Sequence, residues 1–213
     1  MSMKWTKVDI LELEKFYRRN LINSLLGFKP ALLIGTSNNE GKQNLAIFSQ
    51  VFHIGATPPL IGVLFRPDSV DRHTLNNIRE TGVFTINQVK KGMEEQAHQT
   101  SARYASHVSE FEAVGLSPEL SGDFIAPFVK ESVLKIACSL VQENVLEVNG
   151  TIMIIGAIEW IEIDENAVMV DGFVDHVALQ NLCAVGLDAY YEPQKLVRFT
   201  YAKPDIKLQT LPI

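Results

Sequence analysis

Ser69, Arg72 and Thr74 sit close together in the chain, between an apolar run ending at Phe65 and a stretch, 70–81, in which Val70, Leu75 and Ile78 fall on one helical side. Two hydroxyls, a guanidinium and the unpaired N–H groups of a helix start can converge on one dianion. The helix dipole and the planar arginine fork both favour phosphate there. A competing reading uses the same residues structurally, with Ser69 or Asp71 capping the helix while Arg72 and Thr74 face water. Gly82 supplies the helix stop in either case.

The elements that must position this corner lie on either side of it. Residues 31–36 form a short apolar strand, stopped by Ser37-Asn38-Asn39-Glu40-Gly41, a hairpin turn in which Gly41 takes the unusual dihedral. Residues 44–54 return as strand. Alternation puts Asn44, Ala46, Phe48 and Gln50 on one face and Leu45, Ile47 and Ser49 on the other, so one face tolerates polar groups. Ala56-Thr57-Pro58-Pro59 breaks the run and 60–65 resumes it as a central strand.

Downstream, 83–87 reads as a strand, 93–104 as a polar helix, and 109–130 as an irregular, Gly- and Pro-marked connection that is a candidate lid. Residues 133–148 and 151–163 read as a long β-hairpin closed by a tight primed turn at Asn149-Gly150, and 168–170 with Asp171-Gly172 add one more strand. Residues 9–26 mix Leu11, Leu13, Phe16, Leu21, Ile22 and Leu25 with charges and read as an initial helix or an irregular wrap. Many antiparallel strands around few helices give a mainly β fold with helical additions, an antiparallel barrel and not a doubly wound sheet.

A chain of 213 residues that is 46% hydrophobic can bury one full core, so a single domain over 1–213 is expected, with an N-terminal extension over about 1–28 and a C-terminal tail over about 201–213. The net charge of −6 argues against nucleic acid or an anionic membrane as the main partner. Cys138 and Cys183 lie far apart without a Cys-x-x-Cys pair and read as buried thiols. Lys4, Lys7, Asp9 and Glu12 interrupt any signal-peptide core, and the longest apolar run, 152–158, is too short to span a bilayer, so a soluble cytoplasmic protein is expected. His53, His73, His98 and His176 lack metal-ligand spacing, and no metal is expected. Gly35-Thr36-Ser37-Asn38-Asn39 lacks the closing glycine of a nucleophile elbow, and no Gly-x-Gly-x-x-Gly or Walker loop occurs.

A run of short motifs gives a further resemblance. In order these are Asn44-Leu45-Ala46-Ile47-Phe48-Ser49, Thr57-Pro58-Pro59, Arg66-Pro67-Asp68-Ser69 and Arg72-His73-Thr74-Leu75-Asn76-Asn77-Ile78-Arg79. Then follow Phe111-Glu112, Gly115-Leu116-Ser117-Pro118, Ala126-Pro127-Phe128 with Glu131-Ser132, Cys138, Ile155-Gly156 and Asp171-Gly172. Over roughly residues 25 to 180 the chain resembles the flavin reductase-like family of FMN-binding split β-barrels, the group of short-chain flavin reductases and flavoredoxin-type proteins. The resemblance implies an FMN whose phosphate is held by Ser69, Arg72 and Thr74 and whose ring lies along Asn44, Leu45, Ala46, Phe48, Ser49 and Gln50. Several relatives carry an aromatic residue where this chain has Gln50, which covers the ring less well. Arg103, with Tyr104 and His107 beside it, falls where the family can place a basic group near the flavin, and Phe128 where it can border the pocket. A solvated helix and a buried core phenylalanine are the respective alternatives.

The activity implied is an NAD(P)H:flavin oxidoreductase, taking a hydride from NAD(P)H on FMN and passing electrons to free flavin or another acceptor, a redox partner protein included. The nicotinamide would stack over the flavin without a domain of its own, and no catalytic acid or base is singled out. A homodimer is also implied. The alternatives are a non-enzymatic FMN-bearing electron carrier and a split-barrel binding module without redox activity.

Overall fold

The computed structural model describes residues 2–105 and 107–212. Two short helices, α1 (Lys7–Glu12) and α2 (Lys15–Ser24), precede the strands β1 (Lys29–Pro30), β2 (Leu32–Ser37), β3 (Gln43–Phe48), β4 (Val51–Ala56) and β5 (Pro59–Phe65). Helix α3 (His73–Thr81) leads to β6 (Val83–Gln88), then α4 (Glu94–Gln99), α5 (Glu110–Val114), β7 (Pro118–Ser121) and β8 (Phe124–Val129). The long strands β9 (Leu134–Leu146) and β10 (Thr151–Ile163) follow, with β11 (Cys183–Val185), β12 (Ala189–Tyr191), β13 (Arg198–Phe199) and β14 (Thr210–Leu211) beyond them.

Seven strands form one antiparallel sheet in the order β3-β2-β6-β9-β10-β5-β4. Its two outermost strands, β3 and β4, are consecutive in the chain, separated only by Ser49 and Gln50. The sheet therefore has to curl until its edges meet, and chain connectivity closes it where no β3–β4 ladder is recorded among the described residues. The mainly β, antiparallel split barrel expected from the sequence is the fold found.

Strand β2 is buried along its whole length because both of its faces are covered. Leu32 and Ile34 point into the barrel with Val63, Phe65, Phe84, Ile86, Ile152 and Ile154, and Leu75 and Ile78 of α3 complete that core. Ala31 and Leu33 point the other way, into a second cluster with Leu45, Met93, Ala97, Phe111 and Val129. At Gly35 the strand passes so close to β8 that a Cβ would lie 2.1 Å from the Pro127 carbonyl oxygen, so only glycine fits.

The sequence expectations for 31–36, 60–65 and 83–87 match β2, β5 and β6, and Gly41 has the positive φ (79°) its turn required. Several expectations are corrected. The α3 helix starts at His73, with Arg72 as its N-cap residue and no side-chain cap, so neither Ser69 nor Asp71 caps it. The expected helix over 93–104 is confined to α4, since only Met93 and Ala97 find a core to pack into. The stretch 109–130 is no irregular lid: α5 buries Phe111 and the β7–β8 hairpin inserts Ala126, Pro127, Phe128 and Val129 against the sheet.

The β9–β10 hairpin is present, but only Gly150 has positive φ, and Gly150 N–H donates to Leu146 C=O across a four-residue turn, 147–150, in place of a two-residue primed turn. Around 168–170 there is a single bridge, Val168 to Val174, with Val170 at an exposed turn. Residues 9–26 resolve into α1, opened by a Thr6–Asp9 capping box, and α2, capped by Glu14. No helix among the described residues is long and apolar enough to cross a membrane.

Candidate functional site

The elements on either side of the segment joining β5 to α3 are tied to the two ends of β3. At one end the Leu64 N–H donates to the Gln50 carbonyl (2.9 Å), just past the end of β3. At the other the Asn44 amide donates to the Thr74 hydroxyl (2.9 Å) near its start. The loop 66–72 spans the distance between, and its groups differ in what they already hold.

Arg72 folds back on the loop, donating from Nε and Nη2 to the Pro67 carbonyl, both at 3.1 Å. Its Nη1 remains free to donate, and neither Arg72 nor Arg66 has a carboxylate at ion-pair distance among the described residues. Ser69, three residues earlier in the loop, is exposed. The first-turn N–H groups of α3 have no side-chain cap. The loop is anchored from behind by Arg79, which donates to Asp68 (2.7 Å) and to both oxygens of Glu143 (3.0 and 2.6 Å). Those bonds raise the Arg79 pKa and hold the Glu143 carboxyl below its ordinary value.

Two clefts flank the ends of β3. Near its start lies a cavity of 290 Å³, bordered by the β2–β3 turn, by Asn44, by the Asp71–Asn77 side of α3 and by Glu110. Near its end lies a smaller one of 150 Å³, between Phe48 and Ser49, Arg66, and the β11–β12 hairpin with Tyr190. The Tyr190 hydroxyl is 3.1 Å from Nδ1 of His98, and burial pushes the phenol up to about 12, so it stays protonated at neutral pH.

The structure thus brings together Phe48, Ser49 and Arg66 at one end, and Asn44, Thr74 and Asp71 at the other, while Ser69 and Arg72 border neither cleft. Thr74 is buried and its oxygen accepts the Asn44 amide, leaving only its proton to donate. Gln50 is exposed, with its carbonyl already in the β5 contact. Ala46 is half-buried opposite Ile34. Leu45 is fully buried in the second core, its N–H donating to Glu110 (3.2 Å). Arg103 lies in an exposed turn after α4, and Tyr104 beside it receives the Gln99 amide (3.0 Å). Phe128 is buried on β8, tilted over Trp160 at 4.7 Å and Phe124 at 5.9 Å, and borders neither cleft. Neither Arg66, Glu110 nor Tyr190 was picked out from the sequence. Arg66 sits inside the Arg-Pro-Asp-Ser motif, which could have flagged it, whereas Glu110 and Tyr190 carry no local signal.

The family model described as flavin reductase like domain matches residues 27–174, and the chain belongs to that family. A split-barrel crystal structure from Shewanella frigidimarina NCIMB 400, assigned as a flavin reductase, is 51% identical and superposes with a TM-score of 0.91, covering 94% of this chain and 100% of that one. The flavoredoxin of Desulfovibrio vulgaris (Miyazaki F) shares the fold at 23% identity and a TM-score of 0.69, over 84% of this chain and 92% of that one. An uncharacterised protein of Aquifex aeolicus (strain VF5) is 31% identical over 122 residues, which is 56% of this chain and 62% of that relative's length.

Proposed function

We propose that the chain is an FMN-dependent oxidoreductase that takes a hydride from NAD(P)H and passes electrons to free flavin or another acceptor. The observation that carries this is the 66–72 loop. It offers an arginine without a carboxylate partner among the described residues, an exposed serine and a helix start without a side-chain cap, close together in the chain between β5 and α3, in a chain of the flavin reductase like domain family. That donor set fits a phosphate monoester and favours FMN over a neutral flavin.

In this reading Arg72 and Ser69 bind the phosphate, and Thr74, buried against Asn44, holds the start of α3 in place. Asp68, tied to Arg79, holds the loop in shape. Phe48, Ser49 and Gln50 border the ring, where β-strand backbone groups can meet its polar edge. Bound FMN supplies the two-electron chemistry. The protein's part is to orient the ring and to aim N–H dipoles where negative charge collects on reduction. Arg66 and Tyr190 line the space beside it, where a second substrate enters.

The cleft beside Ser49, at 150 Å³, is smaller than the roughly 300–1,000 Å³ of typical small-molecule sites. That favours a seat completed by a second subunit of a homodimer. Apolar side chains on the outer side of β4 support association: Phe52 and Ile54 are exposed there, packed over Gly62. The test of function is anaerobic mixing of FMN-loaded protein with NADH or NADPH. Rapid bleaching of the flavin absorbance is expected. An unchanged spectrum with FMN bound would instead identify an electron carrier.

A further inference from the structure

We propose that the 290 Å³ cleft at the start of β3 is a separate binding site for small organic cations, ligands that present an amidinium or alkylammonium group. Three polar side chains that face it are at least nine-tenths buried: Asn44 and Glu110 at 6% exposure and Asn77 at 9%. Both N–H groups of Asn44 and one of the two of Asn77 are spent inside the protein. Asn44 Nδ2 donates to Thr36 (3.2 Å) and Thr74 (2.9 Å), and Asn77 Nδ2 donates to Thr36 (3.1 Å). Thr36 has a single hydroxyl proton and cannot serve both amides as donor, so at least one must be turned this way.

What remains is mainly acceptors, with one Asn77 N–H beside them. The amide oxygens of Asn44 and Asn77 have no protein donor among the described residues. Glu110 uses only Oε2, on the Leu45 N–H. Among the described residues the sole buried side-chain atom sealed from solvent without a partner is Asn181 Oδ1. The free oxygens of Asn44, Asn77 and Glu110 therefore open into the cleft and not into dry core. Around the rim stand Glu40 and Asp71, against one ammonium, Lys42, and against His73, which is turned to Asp71 at 3.3 Å.

A cavity rich in acceptors and carboxylates repels a dianion and rewards charge-assisted N–H donors, more so where side chains are buried. The carboxylates around the cleft form no metal-holding cluster of three among the described residues, and a 290 Å³ cavity has room for far more than a bare ion, which suits an organic cation. Neither Ser69 nor Arg72 borders this cleft, which makes the claim independent of the flavin reading.

The test is calorimetric titration of the full chain, with and without FMN, using benzamidine and its anionic isostere benzoate as probes. Benzamidine is expected to bind saturably and benzoate not at all. Glu110→Gln, which can still accept the Leu45 N–H, should weaken benzamidine roughly tenfold or more. Lys42→Met, on the half-exposed turn, should tighten it with the far-UV spectrum unchanged. Arg72→Ala should leave benzamidine affinity unaltered whatever it does to FMN. Benzoate binding as well as benzamidine, absence of saturation by either, or a Lys42→Met protein that binds benzamidine no better than wild type would overturn the proposal, even if Glu110→Gln failed to fold.

Discussion

The two ends of strand β3 carry similar residue types and use them in opposite ways. At the start, Asn44, Thr36, Thr74 and Asn77 form a buried network in which amide donors and hydroxyl acceptors satisfy one another, and Glu110 answers the outward N–H of an edge strand. At the far end Arg66 stands exposed, and the loop that follows carries Ser69, also exposed, and Arg72, half-buried with Nη1 unspent. A buried hydroxyl or amide costs stability unless paired, so the first set is constrained by folding. Exposed donors held in a fixed loop add nothing to the core and are available to a ligand.

That contrast between groups spent on structure and groups left for a ligand can be broken by substitution. The largest effect is expected at Phe128, whose ring is committed to Trp160 and Phe124: Phe128→Ala should cost about 3–5 kcal/mol in urea unfolding. The FMN affinity of the remaining folded protein should stay unchanged, and a collapse of that affinity would move Phe128 into the site. Arg72→Ala should do the reverse. FMN dissociation constants should rise roughly 10- to 150-fold, the loss of a charged hydrogen bond worth about 1.5–3 kcal/mol, with little change in the unfolding midpoint.

Thr74→Val removes the Asn44 acceptor at the buried end and should lower stability by about 1–3 kcal/mol, read by chemical denaturation. The smallest effect is expected for Arg79→Ala, a half-exposed ion pair worth about 0–1 kcal/mol in stability. Because Arg79 depresses the Glu143 pKa, that contribution is complete above the ordinary carboxylate range and is lost as pH falls through the lowered value. The gap between wild type and Arg79→Ala at neutral pH should therefore close in acid, and a gap that persists there would remove Glu143 from the account.

Much of the barrel was readable because its signals are local. The α3 pattern of Leu75 and Ile78 stopped by Gly82, and the long paired runs on either side of Asn149-Gly150, need only periodicity and turn chemistry. The segment 109–130 was misread because its order comes from distant partners. Pro127 meets Gly35 and Thr85, and Asn87 receives the Val129 N–H, contacts that no local pattern announces. The site divides similarly. Ser69 and Arg72 stand out in the sequence because a strand-to-helix junction is a local signal, and their role is part of the proposal. Phe128 looked like a pocket residue, but it packs in an aromatic cluster with Phe124 of its own strand and Trp160 of β10, a partner far off in sequence. Glu110 and Tyr190 reach the two clefts only through tertiary folding, and Tyr190 lies beyond the 27–174 family match.

The central claim, that the 66–72 loop grips a phosphate and so seats a flavin beside the end of β3, is tested most directly by titrating FMN and riboflavin into wild type and Arg72→Ala. The account predicts that wild type binds FMN more tightly than riboflavin by at least roughly tenfold and that the substitution abolishes the difference. Equal affinity of wild type for the two flavins would contradict it.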